Sequence, residues 1–234
     1  MSRGTKTKLD LDKVIFIGRT YEEYMDMFML SEGDLKGKKI LDCPSGACSF
    51  AASGQLKGWN TMAADIAYDH PAEDLVTKGR EDLQHALTHM KNAESNYIWD
   101  YFQDLNQLQE YRERALHSCI EDMNKNSERY LPVQLPALPF KDNDFDMVLS
   151  AHFLFTYADR LNLQFHLDTL NELLRVAKEE LRVFPLVDLE GNRYEHLDHV
   201  IQYLKDNGCY VEEVKVPYEF QKGANSMLKV NKNH

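Results

Sequence analysis

Apolar residues fall at two different spacings along this 234-residue chain, and the alternation between the spacings sets out a fold. Short apolar runs bounded by turn residues predict buried strands at Lys39–Cys43, about Asn60–Asp65, Arg129–Leu135, a run ending at Ser150, and Leu181–Val187. Between them the apolar positions recur at helical spacing. Thr20–Leu30 predicts a helix with Thr20 as N-cap and Glu23 three residues on, a capping-box pattern. Arg160–Ala177 carries Leu163, Leu167, Leu170, Leu173 and Leu174 on one face, and Tyr194–Asn207 predicts a further helix closed by Gly208. Gly33–Gly37 reads as a turn, and Val211–Val216 and Met227–Val230 as two closing strands. Strands alternating with helices, then a terminal strand pair, predict a doubly wound α/β fold: a mostly parallel sheet with one antiparallel edge.

One stretch departs from that rhythm. From about 70 to 128 the chain is nearly continuous helical composition, with Leu83, Ala86, Leu87 and Met90, then Tyr97, Ile98, Tyr101, Phe102 and Leu105 at helical spacing. A doubly wound fold needs one short helix here, so two or three extra turns are expected as an insertion, read as a helical lid beside the ligand site. The organisation expected is a single domain over 1–234, with an N-terminal cap helix within 1–33 and this insertion. The first dozen residues are polar and expected to fray.

Composition narrows the class of partner. The chain is 43% apolar and 28% charged, enough for one full core. Its net charge of −11 argues against a nucleic-acid backbone as partner, since that needs a basic stripe. Cys43, Cys48, Cys119 and Cys209 lack metal-ligand spacing and read as reduced thiols. No apolar core follows the basic N-terminal residues, and no run is long enough to span a bilayer, so a soluble, cytoplasmic protein is expected. Oligomeric state is open.

The chemistry concentrates in Lys39 to Phe50 and in Ala63-Ala64-Asp65. An apolar run ends in Asp42, a small-residue loop follows and opens a helix, and a second apolar run ends in Asp65. A parallel sheet builds nucleotide sites in this way: the loop admits the ligand to the backbone and the second acid takes the ribose hydroxyls. An adenosine-type cofactor is expected.

Four segments in order then resemble the class I S-adenosylmethionine-dependent methyltransferases, which have a Rossmann-like, seven-stranded sheet. Ile40-Leu41-Asp42 through Gly46 is similar to that family's first motif, and Asp65 to the acid closing its second strand. Leu138-Pro139-Phe140 through Phe145-Asp146-Met147-Val148 resembles its passage into strand four, and Leu173-Leu174-Arg175-Val176 its helix before strand five. The likeness covers about 40–231. It implies an enzyme transferring a methyl group in line from S-adenosylmethionine, leaving S-adenosylhomocysteine, to a small or medium-sized acceptor. It implies cofactor contacts at Asp42, Pro44, Ser45, Gly46, Asp65 and Ile66, at Gln134, Leu135 and Ser150, and at Arg19 and Tyr24 of the N-terminal helix region. Three positions depart from the pattern: Pro44 and Cys48 stand where the family's loop usually has glycines, and Gln134 where an acid often meets the adenine amine. A non-catalytic cofactor-binding or partner module is therefore the alternative. A nicotinamide dehydrogenase would need G-x-G-x-x-G, which Pro44-Ser45-Gly46-Ala47-Cys48-Ser49 does not supply.

Bland readings stand beside the sharp ones. His152, after strand four, is a candidate base or acceptor-orienting group, or a histidine packed on Phe153 and Phe155. Arg19 is a partner for the methionine carboxylate, or a surface arginine. Tyr97, Trp99, Tyr101 and Phe102 line an acceptor pocket, or form core. His85 and His89, an i,i+4 pair without a third ligand, read as a solvated helix face, and no metal is expected. Cys43 and Cys48 read as buried fillers.

Overall fold

The structure, a computed structural model, describes residues 15–92 and 94–232; the expected fraying of the first dozen residues lies outside them. A seven-stranded sheet runs in the order β3-β2-β1-β4-β5-β7-β6, from β1 (Lys39–Asp42), β2 (Asn60–Asp65), β3 (Tyr130–Pro132), β4 (Phe145–Ala151), β5 (Ala177–Phe184), β6 (Cys209–Lys215) and β7 (Ser226–Lys232). β1 pairs in parallel with β2 and β4, and β7 pairs antiparallel with both β5 and β6. The doubly wound α/β sheet with antiparallel pairing toward one edge is what the sequence predicts. β3 is shorter than expected, ending at Pro132, and β5 begins four residues early at Ala177, where α6 (Leu163–Val176) stops.

Both faces of the sheet are covered, which is why the central strands are apolar throughout. Leu41 and Val148 point to the side where α6 and α7 (Leu197–Asp206) pack through Leu170, Leu173, Leu197 and Val200. Ile40, Met147 and Leu149 point to the other, against Tyr24 of α1 (Tyr21–Met27), Phe28 just after it, and Phe50 of α3 (Phe50–Leu56). The α1 capping box forms as expected: the Thr20 hydroxyl accepts from Glu23 N, and the Glu23 carboxylate accepts from Thr20 N at 2.9 Å. Gly33–Gly37 is not simply a turn, because Ser31 caps a four-residue helix there, α2 (Glu32–Leu35).

The insertion is larger than the composition suggested. Two 21-residue helices, α4 (Ala72–Asn92) and α5 (Leu105–Lys125), lie between β2 and β3. Leu116, Cys119 and Ile120 of α5 pack on Ala51 and Ala63, so α5 is the crossover helix that the fold requires. The added element is α4, about six turns, which lies along α5 and whose Leu75 joins the same cluster. The segment between α4 and α5 reaches the far end of the sheet. There Ile98 N donates to Phe220 O at 2.7 Å, and Lys222 N to Asn96 O at 3.0 Å, pairing it with the β6–β7 loop.

The two motifs flanking strand four prove to be one structural clasp. Arg175 donates to the carbonyls of Leu138 and Phe140 and to Asp142, while Glu172 accepts from Leu138 N at 2.6 Å. Their shared job is to fix the turn that feeds β4.

A buried ion pair ties the N-terminal helix to α5. Glu23, fully buried on α1, meets Arg112 of α5 at 2.6 Å, and its other oxygen accepts from the Tyr218 hydroxyl at 2.9 Å. Burial pushes the Glu23 carboxyl upward, but Arg112 outweighs it and the group titrates below its ordinary value. Removing one member strands the other charge away from water. Arg112→Met should therefore destabilise the protein by about 3–5 kcal/mol in urea unfolding, and adding Glu23→Leu should recover a large part of that loss. A loss below about 1 kcal/mol for the single substitution would show the pair to be dispensable.

Candidate functional site at the carboxyl ends of β1, β2 and β4

Strand order reverses between β1 and β4, and the crevice outside the carboxyl ends of such strands is where open α/β sheets place ligands. Asp42 closes β1 fully buried. One of its oxygens accepts from the Tyr24 hydroxyl at 3.0 Å and the other from the Ser45 hydroxyl at 2.6 Å. Burial pushes its carboxyl up to about 7, against these hydrogen bonds, with the Asp65 charge adding a smaller push. Tyr24 is thus a buried partner of Asp42, with its ring stacked on Phe50 at 5.0 Å.

The loop after β1 turns through a cis bond at Cys43–Pro44 and then through Gly46, whose φ of +57° favours glycine. Asp65 holds that turn: its two oxygens accept from Gly46 N at 2.8 Å and Ala67 N at 2.9 Å. Burial raises its carboxyl above the ordinary range. Each oxygen keeps a second lone pair. Ile66 follows, half-buried, at the start of a 3-10 turn. Tyr68, which the sequence reading missed, donates its hydroxyl to Gly46 O at 2.7 Å and packs edge-on against Tyr130. An aromatic three residues beyond Asp65 was the available signal.

The chain ahead of α1 lies directly on this loop. A Cβ at Gly18 would stand 1.8 Å from the Ala47 carbonyl oxygen, so only glycine fits the approach. Arg19 N donates to Cys48 Sγ, and Ser49 N to Arg19 O at 3.0 Å. This accounts for Cys48 in a loop where glycine was expected: its sulfur accepts a backbone N–H. Cys43 and Cys48 are buried and their thiols are pushed up, Cys48 to about 12, which leaves them protonated and inert.

His152 stands just past β4 with φ +49°, a left-handed backbone uncommon for a side-chain-bearing residue. Its N–H donates to Phe184 O at 2.6 Å, and its ring lies 5.3 Å from that of Phe184. The expected packing on Phe153 and Phe155 is not formed; Phe153 packs on Phe165, and Phe155 on His166 and Tyr194. Burial first, then the nearby charges of Arg19 and Arg112, hold the imidazole well below its ordinary value, so it is neutral at pH 7. Arg19 is accordingly an inward-facing residue. Its guanidinium has no carboxylate within ion-pair distance among the described residues.

Eight shielded side-chain polar atoms lack a hydrogen-bond partner among the described residues. Among them are Arg19 Nε, ahead of α1, Ser150 Oγ near the end of β4, and His152 Nδ1 just past it. Gln134 and Leu135 lie in the turn after β3, Gln134 exposed and Leu135 half-buried, and Val133 N ties that turn to Asp65 O at 3.2 Å. Arg112 was also missed. An arginine on the apolar stripe of α5, four residues after Leu108, was its signal. His85 and His89 meet ring to ring at 4.4 Å on α4, away from these residues. No helix among the described residues is long and apolar enough to cross a membrane.

The donor set fits S-adenosylmethionine. Asp65 and Asp42 offer acceptor lone pairs for hydroxyl and ammonium groups, and Arg19 Nε is a shielded donor without a partner among the described residues.

No family model matches the chain. It is 38% identical over 221 residues to an uncharacterized protein, MJ0045, of Methanocaldococcus jannaschii, covering 94% of this chain and 97% of that one. Among solved structures, magnesium protoporphyrin IX methyltransferase of Synechocystis PCC 6803 with bound S-adenosylmethionine superposes with a TM-score of 0.51 at 14% identity, over 90% of this chain and 77% of its own. A Burkholderia thailandensis 1,6-didemethyltoxoflavin-N1-methyltransferase gives 0.51 at 11% identity, over 96% and 80%. At such identities the likeness is one of fold. The chain therefore belongs to the family of the Methanocaldococcus jannaschii protein, and its fold is that of the class I, Rossmann-like methyltransferases.

Proposed function

We propose that this protein is an S-adenosylmethionine-dependent methyltransferase acting on a small or medium-sized acceptor. The observation that supports the reading is the pair of acids, Asp42 and Asp65, closing adjacent parallel strands beside the β1/β4 switch point, with Asp65 accepting from Gly46 N of the loop between them. When bound, the cofactor supplies a methyl group made electrophilic by its sulfonium. The protein then has to orient the acceptor, exclude water and manage one proton.

Asp65 takes the ribose hydroxyls on its free lone pairs while it holds Gly46. Asp42 faces the cofactor's ammonium, and Arg19 pairs with its carboxylate. Ile66, Gln134 and Leu135 border the adenine, and Ser150 the methionine end. His152, neutral at physiological pH, accepts the acceptor's proton or a hydrogen bond from it.

Calorimetric titration with S-adenosylmethionine, S-adenosylhomocysteine and NAD tests the reading directly. Micromolar binding of the two sulfur nucleotides and none of NAD is expected, and silence from all three would favour the non-catalytic module. Asp65→Ala should weaken cofactor binding by about 1.5–3 kcal/mol, the worth of charge-assisted hydrogen bonds; an unchanged affinity would put the ribose elsewhere.

Asp42 adds a pH dependence. Its carboxyl titrates near 7 in the free protein, and an ammonium beside it favours the ionised form, so binding strengthens as pH rises toward 7. Cofactor affinity should fall by up to about tenfold per pH unit below 7. Asp42→Asn should flatten that slope in titrations between pH 5.5 and 7.5.

A further inference from the structure

Asp42 is a buried acid without a cation. It is wholly shielded from water and has no ion-pair partner among the described residues. The charge of Arg19 reaches Cys48, but the charged group that acts on Asp42 itself is Asp65, a second acid. The other titratable groups around it are Tyr24 of α1, Cys43 and Cys48 of the loop, and Tyr68 beyond β2. Burial raises all four, so they stay protonated and bring no positive charge. A carboxylate in such a place is held in its ionised form by hydrogen-bond donors. It has two: the Ser45 hydroxyl on one oxygen at 2.6 Å and the Tyr24 hydroxyl on the other at 3.0 Å.

Ser45 belongs to the same loop, three residues after Asp42. Tyr24 arrives from a different element and is held in place on several sides. Its ring stacks on Phe50 at 5.0 Å and meets Phe28 edge-on at 5.4 Å. Its chain neighbour Glu23 is fixed by Arg112, Tyr218 and the Thr20 cap. A phenylalanine would make the same ring contacts. What tyrosine adds is one hydroxyl, and in this wholly buried residue the hydroxyl is directed at Asp42.

We propose that Tyr24 is a positioning residue of the cofactor site: its hydroxyl keeps Asp42 charged and fixes the orientation of the carboxylate, leaving the remaining lone pairs for the cofactor's ammonium. The inference rests on the methyltransferase reading for the identity of that ammonium, and Tyr24 acts only through Asp42. Helix α1 then does more than cover the sheet, because it sets the charge of the acid that closes β1. Without the hydroxyl, the carboxyl keeps its proton to higher pH. A protonated acid offers an ammonium no opposite charge.

The test follows the Asp42 carboxyl by carbon NMR in the full chain labelled at its aspartates, with Asp42→Asn identifying the signal. Tyr24→Phe should raise the midpoint from about 7 by about 1–2 pH units, the worth of one hydrogen bond to a charged group. Ser45→Ala, which removes the donor to the other oxygen without touching α1, should move the same midpoint upward. In calorimetric titrations with S-adenosylhomocysteine, Tyr24→Phe should weaken binding by about fivefold at pH 7 and approach the parent's affinity by about pH 9. A tyrosine with a merely structural role would give a loss equal at every pH. An unmoved midpoint or a pH-independent loss overturns the inference and leaves the cofactor site standing. If the parent protein binds no S-adenosylhomocysteine, the methyltransferase reading fails, and the positioning role fails with it wherever the midpoint lies.

Discussion

Much of this structure hangs on one buried carboxylate. Glu23 ends the N-terminal turn of α1 as a capping residue, and the same group receives Arg112 from α5 and Tyr218 from the β6–β7 loop. Three elements that the sheet itself does not join are therefore pinned to one point. A charge in that position cannot be solvated, so it is stable only with its partners in place, and their positions are coupled. Arg19 lies four residues upstream of that point, and the charge of Arg112, the partner of Glu23, is among those acting on His152.

The loop after β1 shows a second economy. Where the family resemblance leads to an expectation of glycines, this chain has Pro44 and Cys48 and fixes the loop by side-chain hydrogen bonds: the Asp65 carboxylate on Gly46 N, the Tyr68 hydroxyl on Gly46 O, and the Cys48 sulfur on Arg19 N. Backbone freedom gives way to specific hydrogen bonds. The consequence is a loop whose shape depends on the strand-two acid, so Asp65 has both a structural and a proposed binding role.

Sequence pattern alone disclosed the sheet, because its strands are buried on both faces and bounded by turn residues. It also disclosed the Thr20–Glu23 box, since capping is a local interaction between residues three apart. What it missed was non-local. The size of the insertion was underread because α4 and α5 are mostly polar, so their periodicity is weak against their length. Arg112, Tyr68 and the pairing of the 96–98 segment with residues 220–222 depend on contacts between distant parts of the chain, which spacing cannot reveal. His152 follows strand four, as its place in the sequence indicates, but its ring meets Phe184, a contact between distant parts of the chain that spacing does not reveal.

The pairing between the α4–α5 segment and the β6–β7 loop is made by main-chain groups. Backbone bonds are indifferent to the side chains they carry. Tyr97, Trp99 and Phe220 are therefore carried on a pairing whose hydrogen bonds do not depend on which side chains stand there, so a substitution among them is felt in the packing of the cluster and not in the bonds that join the two segments.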